Sequence, residues 1–315
     1  MKRLLLTRKF PDANIAAAEA HFEVTVMDRE EGLTPDEAKD ALASYDAILA
    51  TLGDQFSAAA FTEPTRCKMI GNFGVGYNHI DVEAARAAGV FVANTPEVVT
   101  DATADIAMTL ILATCRRAGE GERLVRAGKW DGWTPTFMLG MHVTGKTLGI
   151  VGMGRIGQAV ARRAHFGFEM PIKYFNRSQK SVDFPATQVE TLNQLMSECD
   201  IIVVTVPGGG ANTQLINREA LAAMKPTGIF VNVARGDVVD EDALIDVLEA
   251  GHIAGAGLDV FVKEPFVPER LRALENAVLL PHLGTSALEV REQMGQMALD
   301  NILAWSKGET PPQLV

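Results

Sequence analysis

The segment Thr147-Leu-Gly-Ile-Val-Gly152-Met-Gly154-Arg-Ile-Gly157 permits few folds, because an apolar strand runs into a Gly-x-Gly-x-x-Gly turn and a helix begins at once. In such an arrangement the first glycine allows the tight turn and the second lets the backbone approach a pyrophosphate. The third lets helix and strand pack closely. Leu148, Ile150 and Val151 have the pattern of a buried strand, and Ile156, Val160, Ala161 and Ala164 are spaced as on a helix. That helix would aim its free N–H groups and positive dipole end at the phosphates. The segment predicts a dinucleotide site through Gly152, Gly154 and Gly157, in mid-chain, so the first half must form something else.

With 315 residues the chain has room for two domains that each bury a core. Its 47% hydrophobic and 22% charged content predicts a soluble globular protein. No apolar run approaches the roughly 18 residues that cross a bilayer. Leu4-Leu5-Leu6 is too short for a signal-peptide core and reads as a first strand; a cytoplasmic location is expected from the isolated cysteines Cys67, Cys115 and Cys199. The net charge of −11 argues against a nucleic-acid or membrane partner and leaves room only for a small, specific basic site. Cys67, Cys115 and Cys199 are isolated and lack metal-ligand spacing, which predicts buried, reduced thiols and no metal centre.

Short apolar runs alternate with helical patterns from the start. Arg3–Thr7, Val24–Met27, Ala47–Thr51, Met69–Phe73 and Val90–Asn94 read as strands, and Asp12–His21, Pro35–Ser44 and Val82–Ala88 as helices. Thr34 before Pro35 offers a cap and a first-turn proline. Val98 to about Arg126 reads as one long helix crossing between domains, with the hinge near Pro96. A second series of strands follows at Leu148–Val151, Ile172–Asn176, Ile201–Val206, Ile229–Val233, Ala256–Val260 and Val278–Leu280. Their near-continuous apolar character fits burial on both faces. Ser286–Trp305 reads as a helix that returns the chain to the first domain, and Thr310–Val315 as extended. The expected fold is α/β with two domains: a Rossmann-like doubly wound parallel sheet (98–286) inserted into a smaller flavodoxin-like α/β substrate domain (1–97 and 287–315).

The second strand of a Rossmann unit usually ends in an acidic residue that takes the adenine ribose hydroxyls of NAD. Here it ends Tyr174-Phe175-Asn176-Arg177-Ser178. An amide stands in place of the carboxylate that would repel a 2′-phosphate. Arg177, helped by Ser178 and Lys180, can pair with that phosphate. NADP(H) is therefore the expected cofactor, with NAD(H) as the second choice. The alternative is that Asn176-Arg177 is an ordinary solvated turn.

Three later segments fall at strand ends: Val231-Asn-Val233-Ala234-Arg235-Gly236, Val262-Lys-Glu264-Pro265 and Leu280-Pro-His282-Leu-Gly-Thr285. They supply a guanidinium, a carboxylate and an imidazole. Open α/β sheets bind ligands beyond the carboxyl ends of their strands, where such groups can converge. Taken singly, each has a structural alternative: His282 as a strand-end histidine, Glu264 in a solvated turn, Arg235 paired with Asp237 or Asp240.

Over nearly its whole length the chain resembles the D-isomer-specific 2-hydroxyacid dehydrogenases, most closely their glyoxylate/hydroxypyruvate reductase branch. The resemblance runs through Asn72-Phe-Gly-Val-Gly-Tyr-Asn-His-Ile-Asp81, Asp101-Ala-Thr-Ala-Asp105, the glycine turn, the Arg235 segment, Gly257-Leu-Asp-Val260, Glu264-Pro265 and Pro281-His282. It implies that His282 is the acid/base, Glu264 its carboxylate partner, and Arg235 the group that holds the carboxylate and carbonyl of a small 2-oxo acid. A carboxylate beside an imidazole favours the protonated ring, which suits proton delivery as hydride arrives.

Gly74-Val75-Gly76 would offer backbone N–H groups to the substrate carboxylate, and Leu52-Gly53 would limit the substrate's side chain. Toward the cofactor the resemblance implies Arg155 and Ile156 at the pyrophosphate, Thr103 near the nicotinamide half, and Asp259 at the carboxamide. Val233, Ala234 and His282 would lie alongside. The loop Val206-Pro207-Gly208-Gly209-Gly210 is shorter than the polar loop usual in the family but is expected near the adenosine, as is Thr213. Trp130 and Trp133, in Gly128-Lys-Trp130-Asp-Gly-Trp133, would close one side of the pocket or pack in a core or interface. Homodimers of this family embrace through an equivalent arm of the nucleotide-binding domain.

Two other readings stand beside this one. The same fold serves dinucleotide-sensing transcriptional corepressors, which can retain the three polar residues. Other members of the wider group include formate and phosphoglycerate dehydrogenases. NADPH-dependent reduction of glyoxylate, hydroxypyruvate or a similar acid to the D-2-hydroxy acid is the expected activity.

Overall fold

A computed structural model describes residues 1–62 and 65–315. The chain divides into two units, Met1–Val99 with Thr285–Val315, and Thr100–Gly284.

In the first unit the apolar runs become five parallel strands: β1 (Arg3–Leu6), β2 (Glu23–Val26), β3 (Ala47–Thr51), β4 (Met69–Phe73) and β5 (Phe91–Ala93). Their order, β2-β1-β3-β4-β5, is the flavodoxin-like one. The helix Pro35–Ser44 starts where Thr34 and Pro35 predict. The Thr34 hydroxyl accepts the Glu37 N–H at 3.3 Å, and the Glu37 carboxylate accepts the Thr34 N–H at 2.9 Å. The last helix, Leu288–Ser306, lies on β4 so closely that a Cβ on Gly71 would fall 2.9 Å from the Ala298 carbonyl oxygen. Beyond it the chain runs extended, with Leu314 bridged antiparallel to Ala93.

The second unit is a seven-stranded parallel sheet: β6 (Leu148–Val151), β7 (Ile172–Phe175), β8 (Ala186–Gln188), β9 (Ile201–Val204), β10 (Ile229–Asn232), β11 (Gly255–Leu258) and β12 (Ala277–Leu279). The order β12-β11-β10-β9-β6-β7-β8 reverses direction between β6 and β9, the switch point at which such sheets bind ligands. Alternate residues of one strand enter different cores. Ile202 and Val204 pack with the helices Leu192–Glu198 and Glu241–Glu249, whereas Ile201 and Val203 pack with Thr100–Cys115 and Arg155–Phe168. Burial on both faces explains why these strands are apolar throughout. The doubly wound α/β architecture is as expected.

Two elements differ from expectation. The stretch 98–126 is not one helix. It breaks into Thr100–Cys115 and Ala118–Arg126, with Arg117 in the left-handed region at φ 53°. The cause lies in the chain that crosses there: the Met141 N–H takes the Cys115 carbonyl at 2.8 Å, and a Cβ on Gly140 would sit 2.3 Å from that oxygen. The Arg117 guanidinium then folds back onto Glu120 at 2.7 Å. The edge strand β8 was not foreseen, because Ala186-Thr-Gln188 is short and largely exposed and has no apolar run to mark it.

Candidate active site

Arg235, Glu264 and His282 lie just past the carboxyl ends of β10, β11 and β12, which are neighbours in the sheet. Close backbone packing brings the segments together. A Cβ on Gly236 would fall 2.0 Å from the Phe261 carbonyl carbon and 2.3 Å from the Val262 nitrogen, so only glycine lets the Arg235 segment lie against the one carrying Glu264. His282 Nδ1 meets Glu264 Oε2 at 2.7 Å, and Glu264 Oε1 accepts the Phe261 N–H at 3.0 Å. Burial pushes the Glu264 carboxyl up, but the hydrogen bond and charge of His282, the Phe261 N–H and the Arg235 charge outweigh it and hold it below the usual carboxylate range. With Nδ1 committed to a carboxylate, Nε2 is the ring atom that can present a proton to a ligand.

His282 itself has φ 55°, a conformation that costs a non-glycine residue about 1–2 kcal/mol. Asp259 holds it there. Its carbonyl accepts the His282 N–H at 3.0 Å, and its two carboxylate oxygens accept the Leu283 and Gly284 N–H groups at 2.6 and 2.8 Å. Asp259 is buried, and that burial raises its carboxyl above the ordinary value against the pull of those hydrogen bonds and of His282. Expected at a carboxamide, it is thus engaged with the backbone of the His282 loop. Thr103, also buried, donates to the Gly284 carbonyl at 3.3 Å.

Arg235 is not neutralised by Asp237 or Asp240. Among the described residues it has no ion pair within 4 Å; Nη1 donates to its neighbour's carbonyl, that of Ala234, at 2.7 Å. Burial draws its guanidinium down from its usual value, with Glu264 and Asp237 acting in the opposite sense. Asp240 instead caps the helix Glu241–Glu249. Asn232, buried at the end of β10, shapes the loop by accepting the Ala234 N–H and donating to the Arg235 carbonyl, both at 3.0 Å. Val233 and Ala234 are buried beneath it.

At the switch point the glycine turn follows β6. Gly152 has φ 96°, and a Cβ on Gly157 would sit 2.3 Å from the Gly152 carbonyl oxygen, so both glycines are needed for helix and turn to pack. Gly154 faces open space, and the helix Arg155–Phe168 begins after it with no side-chain cap. Arg155 is exposed and Ile156 half-buried at that end. Asn176 does more than border the turn: its oxygen accepts the Met153 N–H at 3.2 Å and its amide donates to the Ser178 carbonyl at 2.7 Å. It therefore fixes the exposed Arg177-Ser178 loop beside the glycines. Val206 packs on Gly152, while Pro207 and Thr213 are exposed further along that loop.

Leu52 and Gly53 follow β3, and Val75 and Gly76 follow β4, past the carboxyl ends of two neighbouring strands of the first unit's sheet. Asn72 Nδ2 donates to the Gly74 and Gly76 carbonyls at 3.0 Å, and Asn94 Nδ2 to the Val75 carbonyl at 2.9 Å. Those bonds turn the carbonyls inward, and among the described residues the Val75 and Gly76 N–H groups have no acceptor. Leu52 and Val75 are exposed. A fully buried Asp54 pins the Leu52-Gly53 turn, accepting from Thr51 N–H at 2.8 Å, Thr7 Oγ1 at 2.6 Å and Leu33 N–H at 2.9 Å.

Trp130 and Trp133 are not core residues; they are 55% and 75% exposed. A cavity of about 820 Å³ lies near Arg117, His142, Lys146, Asp200 and Asn276, at the amino ends of the strands, and shares no residue with the His282 group. The three cysteines are free and buried, with thiols pushed up to about 12 by burial, so none is a nucleophile. Among the described residues no cluster of ligands could hold a metal, and no helix is long and apolar enough to cross a membrane.

An imidazole–carboxylate pair and a guanidinium without an ion pair among the described residues, at the carboxyl end of a switch-point sheet, are the arrangement expected of a dinucleotide-binding oxidoreductase. Comparison with known proteins makes the class specific. Residues 108–284 match the family model of the D-isomer specific 2-hydroxyacid dehydrogenase NAD binding domain. The glyoxylate reductase of Thermococcus onnurineus is 43% identical over 99% of this chain and 95% of its own length. The glycerate dehydrogenase of Hyphomicrobium methylovorum is 38% identical over 96% of this chain and 95% of its own. Among solved structures, the NADPH-dependent glyoxylate/hydroxypyruvate reductase of Sinorhizobium meliloti, in complex with citrate, superimposes with a TM-score of 0.88 at 33% identity, covering 100% of this chain and 98% of that one. The chain belongs to the D-isomer specific 2-hydroxyacid dehydrogenase family and is an oxidoreductase that uses a nicotinamide dinucleotide. The open glycine turn and the uncapped helix behind it fit such a group's pyrophosphate.

Asn232, Asp259's grip on the His282 loop, Asp54 and Asp237 carry structural weight that their sequence context barely signals. Asn232 had the clearest signal, a polar residue closing the apolar run Ile229-Phe-Val.

Proposed function

We propose that the protein reduces glyoxylate, hydroxypyruvate or a similarly small 2-oxo acid to the D-2-hydroxy acid with NADPH. The observation that carries this reading is the His282–Glu264 contact at 2.7 Å beside an Arg235 without an ion pair. Bound at the glycine turn, the reduced dinucleotide would supply hydride to the carbonyl carbon. Arg235 receives the substrate's carboxylate in a charge-assisted fork and polarises its carbonyl. His282 delivers a proton from Nε2 to the forming alkoxide while the Glu264 carboxylate stabilises the charged ring and fixes its orientation. The names of the relatives agree with this substrate class. A panel of 2-oxo acids should show kcat/KM falling as the side chain grows beyond that of hydroxypyruvate; a preference for branched or aromatic acids would count against it.

Preference for NADPH rests on the Arg177-Ser178 loop that Asn176 ties to the glycine turn. A charge-assisted bond to the 2′-phosphate is worth about 1.5–3 kcal/mol, so Arg177→Ala should cost about 10- to 100-fold in kcat/KM with NADPH and little with NADH. Equal losses with both cofactors would assign Arg177 to the solvated surface.

The proposed homodimer is supported by the stretch from Val125 to Leu139, where Val125, Trp130, Trp133 and Leu139 are each more than half exposed. Light scattering should give twice the chain mass, and Trp133→Asp should shift it toward the monomer. A wild-type monomer at micromolar concentration would refute the assembly.

A further inference from the structure

The loop Pro207–Gly210 starts at the glycine turn and ends against Arg235. At its start, Thr205 Oγ1 donates to the Gly152 carbonyl at 2.7 Å, and a Cβ on Gly152 would lie 2.6 Å from Val206 Cγ1. Further along, the Gly209 N–H donates to Asp237 Oδ2 at 2.7 Å. Gly208 is so close that a Cβ there would meet Asp237 Oδ1 at 2.7 Å and Arg235 Cγ and Cβ at 2.8 and 2.9 Å. Asp237 sits in the short turn Gly236–Val238 directly after Arg235, and its carbonyl accepts the Gln214 N–H at 2.8 Å, closing the loop from the other side. Its carboxylate is thus bonded to the loop and forms no ion pair with Arg235.

A tight chain of contacts therefore runs from the phosphate turn to the stem of the substrate-binding cation. Packed groups of this kind shift together, because a displacement at Gly208 must move Arg235 or Asp237. We infer that Asp237 is a positioning residue that couples dinucleotide occupancy to Arg235: a dinucleotide that orders the Pro207–Gly210 loop also sets the guanidinium for the oxo acid's carboxylate. The inference rests on the reading of Arg235 as the substrate-binding group. Coupling between two binding steps is reciprocal, so the oxo acid should tighten the dinucleotide by the same factor.

The test is calorimetric binding of oxamate, an unreactive analogue of a small 2-oxo acid, with and without saturating NADPH. Wild-type protein is expected to bind oxamate about 5- to 150-fold more tightly with NADPH present, the usual range for coupled sites. Asp237→Ala should bring that factor close to unity while NADPH alone still binds. Asp237→Asn should retain it, because the amide oxygen can still accept the Gly209 N–H. Gly208→Ala, which removes no polar group, should lose it as Asp237→Ala does. Wild-type coupling in a folded Asp237→Ala protein, or no coupling in the wild type, overturns the inference. Arg235→Lys separates it from the reading beneath. If that variant loses oxamate while Asp237→Ala keeps the coupling, only the inference fails; if it binds oxamate normally, the reading of Arg235 has failed.

Discussion

His282→Ala is expected to lower kcat for 2-oxo acid reduction by about 10²- to 10⁴-fold, the usual contribution of a positioned general acid, with dinucleotide binding retained. That loss corresponds to about 3–5.5 kcal/mol of transition-state stabilisation. The expectation follows from how the imidazole is held. Its backbone is fixed at φ 55° by Asp259, its Nδ1 is bonded to Glu264 at 2.7 Å, and its Nε2 is left to act on a ligand. Alanine carries the same Cβ into that conformation, so the substitution removes the ring without adding backbone strain. The carboxylate partner also has a pH signature. Because the folded-state Glu264 carboxyl lies below its unfolded value, the stability it contributes is complete above the ordinary carboxylate range and is lost as pH falls through the depressed value. Steady-state kinetics with a parallel measurement of NADPH affinity checks the substitution. A variant that turns over at the wild-type rate would remove His282 from the proton-transfer step.

Arg235→Lys is expected to lower kcat/KM for the oxo acid by about 10²-fold or more, since hydrogen bonds to charged groups contribute about 1.5–3 kcal/mol each and lysine cannot form the two-pronged contact. The charge would survive, so the effect isolates geometry. Arg235 is held by the Ala234 carbonyl and by the Asn232-braced loop, and among the described residues no acidic side chain forms an ion pair with it. A ligand carboxylate would therefore meet a guanidinium that is partly desolvated and has no ion pair to break. The KM for NADPH should change far less than that for the oxo acid. Equal losses in both would mean that the substitution damaged the whole loop.

The sequence carried the architecture because burial on both faces left the sheet strands as plain apolar runs, and because Thr34-Pro35 and Gly152–Gly157 have local chemistry that allows little else. It failed where tertiary contacts override local pattern. Nothing within 98–126 announces that Met141 will take the Cys115 carbonyl and end the helix. An exposed strand such as Ala186–Gln188 has no periodicity to betray it. At the site, the residue types that do chemistry were visible at strand ends, but their supports were not. Asp259 reads as a group for the carboxamide, and nothing in the sequence shows that its carboxylate also accepts the Leu283 and Gly284 N–H groups. Asn176 looked like a substitute for an acidic residue, whereas it also ties the Ser178 loop to Met153. Such roles depend on which backbone N–H lies within reach, and only folding decides that.

Product analysis checks the reduction of a small 2-oxo acid at the His282 site. The protein is mixed with NADPH and glyoxylate, nicotinamide absorbance is followed, and glycolate is quantified in the same sample. Absorbance is expected to fall with one glycolate formed for each NADPH consumed, and likewise with hydroxypyruvate and glycerate. Unchanged absorbance with both acids, from folded protein that binds NADPH, would contradict it.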